Sequence, residues 1–276
     1  MKSEAPRQIT SFLAHADGVT SASFSPDGQT LATGGYDCAV RLWNTQTWQE
    51  ERVLPGHRRG HVAFSPDGTV LVSGGLHKNA SVFETTTWQV KRTLYGTSGV
   101  WDLLFTPNGK RLAISQPDED RDDPAHPIEL RETTNWRIRR RLGIGVPYLY
   151  ALAFHPDGKH AAVSTRGGLV SIWSVGFTRK LIEFLAHDLA TWGLSYSPNG
   201  AMLASGGADN VARLWDTNTW NLTHELEHED FEEVTTGHQF HNAVLCTAFS
   251  PDGKWLVTGG LDGVLTVWRL QEIVLG

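Results

Sequence analysis

Phe24-Ser-Pro-Asp-Gly28 decides the fold, because it returns as Phe64-Ser-Pro-Asp-Gly68, Phe105-Thr-Pro-Asn-Gly109, Phe154-His-Pro-Asp-Gly158, Tyr196-Ser-Pro-Asn-Gly200 and Phe249-Ser-Pro-Asp-Gly253. The prolines Pro26, Pro66, Pro107, Pro156, Pro198 and Pro251 stand 40, 41, 49, 42 and 53 residues apart, the period of a repeat architecture. Pro presets φ for the second position of a turn, and Asp or Asn followed by Gly supplies the rest of the turn chemistry. The aromatic residue before each turn closes an apolar strand, as in Val19 to Phe24 and Val244 to Phe249.

Working outward, a second strand follows each turn, such as Leu31-Ala-Thr-Gly-Gly35 or Leu203-Ala-Ser-Gly-Gly207. A third ends in an aromatic residue, as in Val40-Arg-Leu-Trp43, Ala80-Ser-Val-Phe83, Val170-Ser-Ile-Trp173, Val211 to Trp215 and Val264-Leu-Thr-Val-Trp268. Turns such as Thr45-Gln-Thr-Trp48 and Thr217-Asn-Thr-Trp220 lead into a fourth. Each unit reads as four short antiparallel strands. One such unit cannot bury both faces alone, but units stacked around an axis bury the faces between neighbours. The last unit lacks a fourth strand after Trp268, and Gln8 to Leu13 carries the pattern of one.

With Gly56-His57, Gly237-His238, Trp215-Asp216 and the near match Trp43-Asn44, the chain closely resembles the WD-repeat β-propeller family over roughly residues 7 to 270. The resemblance implies an all-β propeller of four-stranded antiparallel blades, and the count of turns makes it six-bladed. The resemblance further implies closure by an N-terminal strand, about residues 8–13, that completes the last blade. Six blades is a departure from the commoner seven. Residues 1–276 are expected to form this single domain.

The resemblance also assigns roles to three repeated polar sets: His15, Thr33, Asp37 and Trp43; His187, Ser205, Asp209 and Trp215; and His238, Thr258, Asp262 and Trp268. A His, Asp and hydroxyl set invites a catalytic-triad reading, yet an active site is needed once and this set recurs in three blades. In WD-repeat proteins the matching residues form structural hydrogen-bond networks. Blades 2 to 4 depart from the pattern, with His77 and Phe83, Arg131, and Gly167 at expected Asp or Trp positions. They should be less rigid or held by other means.

Composition narrows the function further. There are 24 Lys plus Arg against 30 Asp plus Glu, for a formal charge of −6, so the bulk positive charge that phosphate backbones demand is missing. No run of eighteen apolar residues occurs and the N-terminus carries no apolar signal core. Cys38 and Cys246 make neither a disulfide framework nor a zinc cluster. The expectation is a cytoplasmic protein with free thiols and no metal. His224, His228, His238 and His241 lack metal-ligand spacing, and Asp118 to Asp123 lacks the glycine of a calcium loop. No phosphate loop, nucleophile elbow or Cys–His pair is present.

These readings favour a non-catalytic protein- or peptide-binding scaffold, a monomer without cofactor, nucleic-acid or membrane partner. The alternative is an enzyme or small-molecule binder that uses the central funnel. The resemblance places binding on the face with the connections before strand 1 and between strands 2 and 3. Trp101, Tyr150 and Trp192 share one register, four residues before the turn aromatic, and suggest an aromatic cluster at the channel mouth or blade-to-blade packing. Tyr36, Leu76, Arg166 and Leu261 precede the Asp position or its replacement and complete the apolar and cationic candidates. Asp118, Glu119, Asp120, Glu229 and Asp230 stand for two acidic insertions, at 118–123 and 225–233, expected to steer a basic partner to one rim.

Overall fold

Five of the six pentapeptides are turns of one construction, with His155 in place of the hydroxyl in the fourth. In the first, the Ser25 hydroxyl donates to Asp27 Oδ1 at 2.6 Å and accepts the Thr30 N–H at 2.9 Å. The Asp27 carboxylate accepts the Gln29 N–H at 3.0 Å. Gly28 closes the turn at φ 71°, and a Cβ there would lie 3.8 Å from Pro251 Cδ of the neighbouring turn. The same approach to a neighbouring turn recurs at Gly68, Gly109, Gly200 and Gly253 but not at Gly158, so the turns gather around one rim. The computed structural model describes residues 5–77, 79–95, 99–116, 127–143, 149–228 and 243–270.

The described residues form strands β1 (Arg7–Leu13), β2 (Val19–Phe24), β3 (Thr30–Gly35), β4 (Ala39–Asn44), β5 (Glu50–Pro55), β6 (His61–Phe64), β7 (Val70–Gly74) and β8 (Asn79–Glu84). Next come β9 (Val90–Tyr95), β10 (Asp102–Phe105), β11 (Arg111–Ser115), β12 (Pro127–Glu132), β13 (Ile138–Gly143), β14 (Leu149–Phe154), β15 (His160–Thr165) and β16 (Leu169–Ser174). The last are β17 (Lys180–Leu185), β18 (Thr191–Tyr196), β19 (Met202–Gly207), β20 (Val211–Asp216), β21 (Leu222–Glu227), β22 (Val244–Phe249), β23 (Trp255–Gly260) and β24 (Val264–Arg269). They make six four-stranded antiparallel sheets, and in the sixth the order is β1-β24-β23-β22. The protein is thus a six-bladed β-propeller whose N-terminal strand completes the last blade, with Leu13 opposite Val264 and Arg7 opposite Arg269. Among the described residues no helix is long and apolar enough to cross a membrane. Both cysteines are free, Cys38 exposed and Cys246 buried.

The core lies between blades. Val72, Val82 and Leu94 of the second blade pack with Leu103, Phe105 and Ile114 of the third. Trp43 of the first packs with Val257 and Leu265 of the sixth. Polar links join neighbouring blades near the axis. Ser21 Oγ accepts the Val62 N–H at 3.1 Å, and Asp102 Oδ2 accepts the Leu152 N–H at 2.8 Å. Ser164 donates to the Thr191 carbonyl at 2.9 Å, and Ser195 meets Thr247 at 2.9 Å.

Among the described residues, two blades carry the full polar relay. Trp215 Nε1 donates to Ser205 Oγ at 2.9 Å, Ser205 meets His187 Nε2 at 2.8 Å, and His187 Nδ1 meets Asp209 at 2.8 Å. Burial alone would raise the Asp209 carboxyl, but hydrogen bonds from His187 and Arg213 overcome it and hold it at about 2. In the first blade Trp43 donates to Thr33 at 2.9 Å, and His15 bridges Thr33 and Asp37 at 2.8 Å each. In the sixth, Trp268 donates to Thr258 at 2.8 Å. The expected His238 lies outside the described residues; among those described, His228 meets Thr258, its Nε2 2.6 Å from Oγ1. Asp262 is buried and accepts the Val264 N–H at 3.0 Å.

The other three blades are held differently. In the fourth, the Trp173 indole turns to Ser171 at 2.8 Å. In the second, Phe83 fills the Trp position and is fully buried, while Ser73 Oγ and His57 Nε2 find no partner among the described residues. In the third, Arg131 at the Trp position is buried against Glu129, with Nε 2.5 Å from Oε1. A buried ion pair replaces the indole relay.

Candidate functional site

The inner strands β2, β6, β10, β14, β18 and β22 line a central channel. Its two ends differ chemically. The pentapeptide turns surround one end. At the other, a Cβ on Gly18, before β2, would lie 2.8 Å from Tyr36 Cδ2 in the β3–β4 connection and 3.2 Å from Leu261 Cδ1 in the β23–β24 connection. The connections before strand 1 and between strands 2 and 3 therefore share a face.

On that face the rings of three consecutive blades form one stack. Trp101 and Tyr150 lie 5.2 Å apart at 11°, and Tyr150 and Trp192 lie 4.2 Å apart at 20°. All three are half-buried. The first, second and sixth blades carry Thr20, Gly60 and Leu245 at the same register. Gly60 has no side chain to offer, and the residue before it takes the space. Arg59 adopts a left-handed φ of 54°, a conformation that costs a non-glycine residue about 1 kcal/mol or more. Its guanidinium then lies 4.0 Å from the Trp101 ring centroid and 5.6 Å from that of Trp192, inside cation–π range. Blades 2 and 5 are opposite in a ring of six, so Arg59 spans the mouth. Burial lowers the Arg59 pKa, partly offset by the Tyr36 and Tyr150 phenols, and a guanidinium stays charged under such a shift.

Tyr36 and Leu261 flank Gly18 beside this mouth, while Leu76 and Arg166 stand exposed in the equivalent connections of the second and fourth blades. Arg59 is the member that sequence reading missed. The signal was the glycine at a register where three blades carry large rings. Asp118, Glu119, Asp120, Glu229 and Asp230 lie outside the described residues. Glu225 and Glu227 of the second acidic stretch belong instead to β21, the outer strand of the fifth blade, where Glu225 accepts from Arg213 Nε at 2.7 Å.

The channel wall holds a half-buried carboxyl and a buried imidazole. Asp102 accepts N–H bonds from Leu103 at 2.9 Å and Leu152 at 2.8 Å, and its Oδ1 lies 3.7 Å from His61 Nδ1. Burial pushes the Asp102 carboxyl up to about 7 against those N–H bonds, and it pushes His61 down to about 3. The nearby hydroxyls are committed: Thr20 donates to the Gly60 carbonyl at 2.6 Å and Ser21 to that of Val62 at 3.4 Å. Burial pushes the Cys246 thiol up to about 12, the reverse of what a nucleophile needs. Among the described residues the channel offers proton-binding groups and no activated nucleophile.

A profile of the WD domain, G-beta repeat family matches residues 6–44, 48–84, 145–174, 178–216 and 231–269. The unmatched interval contains the third blade, whose relay is replaced by the Glu129–Arg131 pair. The chain is similar to the WD repeat-containing protein VIP3 of Arabidopsis thaliana, 32% identical over 125 residues that span 44% of this chain and 39% of that protein. It is similar to Protein groucho of Drosophila melanogaster, 27% identical over 162 residues, 48% of this chain and 22% of that one. The matched region spans less than half the length of either relative.

Proposed function

The chain belongs to the WD-repeat family, and from that premise we propose that it is a non-catalytic scaffold binding a protein or peptide at the channel mouth of its loop-bearing face. Propellers of this family are typically protein-interaction scaffolds. The observation that carries the reading is the convergence of Arg59, Trp101, Tyr150 and Trp192 from four blades into one half-buried cluster. Trp, Tyr and Arg dominate binding hot spots because each combines a large apolar surface with a polar group. The rigid strands beneath keep the ordering cost of binding low. Acidic residues of the 118–123 and 229–233 stretches favour a basic partner by steering. The same reading takes the chain as a cytoplasmic monomer with no cofactor and no nucleic-acid or membrane partner.

The rival is chemistry in the channel, for which the raised Asp102 is the favouring observation. The committed hydroxyls of Thr20 and Ser21 and the raised Cys246 thiol count against it. To test the scaffold reading, the intact ring serves as bait and the retained protein, identified by mass spectrometry, is titrated against single alanine variants. Trp101→Ala and Trp192→Ala are each expected to weaken binding about 30-fold or more, the size of a hot spot. Unaltered affinity in both variants, with stability lowered as by core truncations, would mean that the rings serve packing alone.

A further inference from the structure

The fourth blade's turn departs from its five siblings at two positions, and both departures are histidines. Where the others carry Ser25, Ser65, Thr106, Ser197 and Ser250, this one carries His155; where they carry Thr30, Val70, Arg111, Met202 and Trp255, it carries His160. The closure of the turn is kept: the Gly158 N–H still reaches the His155 carbonyl at 2.9 Å, and Asp157 Oδ1 still accepts the Lys159 N–H at 2.7 Å. The hydroxyl bonds are replaced, the Asp157 N–H turning to His155 Nδ1 at 3.2 Å and the His160 N–H to Asp157 Oδ1 at 3.2 Å. The siblings build the same turn without an imidazole.

Both imidazoles converge on one carboxylate. His155 Nδ1 lies 3.0 Å from Asp157 Oδ1 and His160 Nδ1 lies 2.7 Å from Oδ2. One ligand atom from each of the three residues falls within 4.8 Å of the others. His155 is held in place: its Nε2 bonds the Gly200 carbonyl at 3.1 Å, and its ring meets Tyr196 edge-on at 4.9 Å and 80°. A carbonyl only accepts, so Nε2 carries the proton, and in the neutral ring Nδ1 presents a lone pair. That lone pair accepts the Asp157 N–H at 3.2 Å and also lies 3.0 Å from a carboxylate oxygen, itself an acceptor. A metal cation that displaced the weak N–H bond would bind both acceptors at once.

We propose that His155, Asp157 and His160 form a zinc-binding site on the face opposite the channel mouth. Two imidazole nitrogens and one carboxylate, with a further position left to water, are the donors zinc accepts in open sites. Imidazole ligands select zinc-class metals over calcium and magnesium, which take oxygen. The Nε2 bond from His155 to a backbone carbonyl is the outer-shell contact that orients metal-ligating histidines. Bond lengths of ~2.1 Å bring tetrahedral ligand atoms to about 3.4 Å from one another. His160, the most exposed of the three, closes the remaining distance by rotating its side chain. Because His155 also holds Gly200, zinc would fasten the fourth blade to the fifth.

The test is calorimetric titration of the untagged, chelator-treated chain with zinc chloride. His155→Ser and His160→Thr are the comparison variants, each restoring the residue a sibling turn uses. The parent is expected to bind one zinc ion at least about tenfold more tightly than either variant, the smallest loss typical of damage to a metal site. Excess magnesium should not compete, and zinc should raise the melting temperature of the parent alone. Equal zinc affinity in parent and variants, or no binding by the parent, would overturn the proposal.

Discussion

Deletion of residues 1 to 13 is expected to yield insoluble protein or to lower the melting temperature by more than ~10 °C. The deletion removes all of β1, leaving β24 with an open edge along Val264 to Arg269. It also removes Phe12, whose ring lies 4.8 Å from that of Trp43 in the first blade, and so opens the seam where the ring closes. Losing one whole paired strand with its packing costs on the order of 5 kcal/mol, and about 2–4 °C accompanies each kcal/mol in a chain of this size. The exposed edge adds an association hazard that a closed ring avoids. Differential scanning calorimetry of both chains checks this. A truncated ring that melts with the parent contradicts closure by β1.

Glu129→Ala is expected to destabilise by about 3–5 kcal/mol, because it strands a buried guanidinium. Glu129 is 0% exposed and Arg131 5%. Glu129 receives Arg131 Nε at 2.5 Å on one oxygen and Arg141 at 3.3 Å on the other. Arg131 also donates to the Tyr95 carbonyl at 3.2 Å, which fixes it in place once the carboxylate is gone. Replacing both partners, as Glu129→Leu with Arg131→Met, removes the desolvated charges together and should recover most of the loss. Urea denaturation of the three chains measures this. A Glu129→Ala midpoint unchanged from the parent would show that the pair does not hold the blade.

The departure at Arg131 was legible in the sequence; its partner was not. Register alone identifies a residue at an indole position, whereas Glu129 becomes a partner only when β12 is built and both side chains turn inward. The fold was legible for a local reason: the Pro-Asp-Gly turns are set by dihedral preferences that hold wherever they occur. Closure by residues 8–13 was legible because a strand pattern was missing at one end and present at the other.

The network histidines show where register fails. His15 and His187 stand four residues before β2 and β18, but the long connection between Glu227 and Val244 breaks that spacing before the sixth blade. Sequence distance therefore did not point to His228, whose Nε2 meets Thr258. At the channel mouth, Trp101, Tyr150 and Trp192 were legible as one register, while Arg59 depends on an absence at Gly60 and on a left-handed backbone. The His155–Asp157–His160 cluster was concealed because its aspartate had been accounted for as a turn residue.

The central claim is that a protein partner docks on the loop-bearing face, over the stacked rings and Arg59. The most direct measurement is backbone amide hydrogen exchange of the ring, free and bound to the partner recovered with the intact chain. Protection is expected in the segments carrying Tyr36, Arg59, Trp101, Tyr150, Trp192 and Leu261, with the pentapeptide turns unchanged. Protection confined to those turns, or to the outer strands β5, β9, β13, β17 and β21, would contradict it.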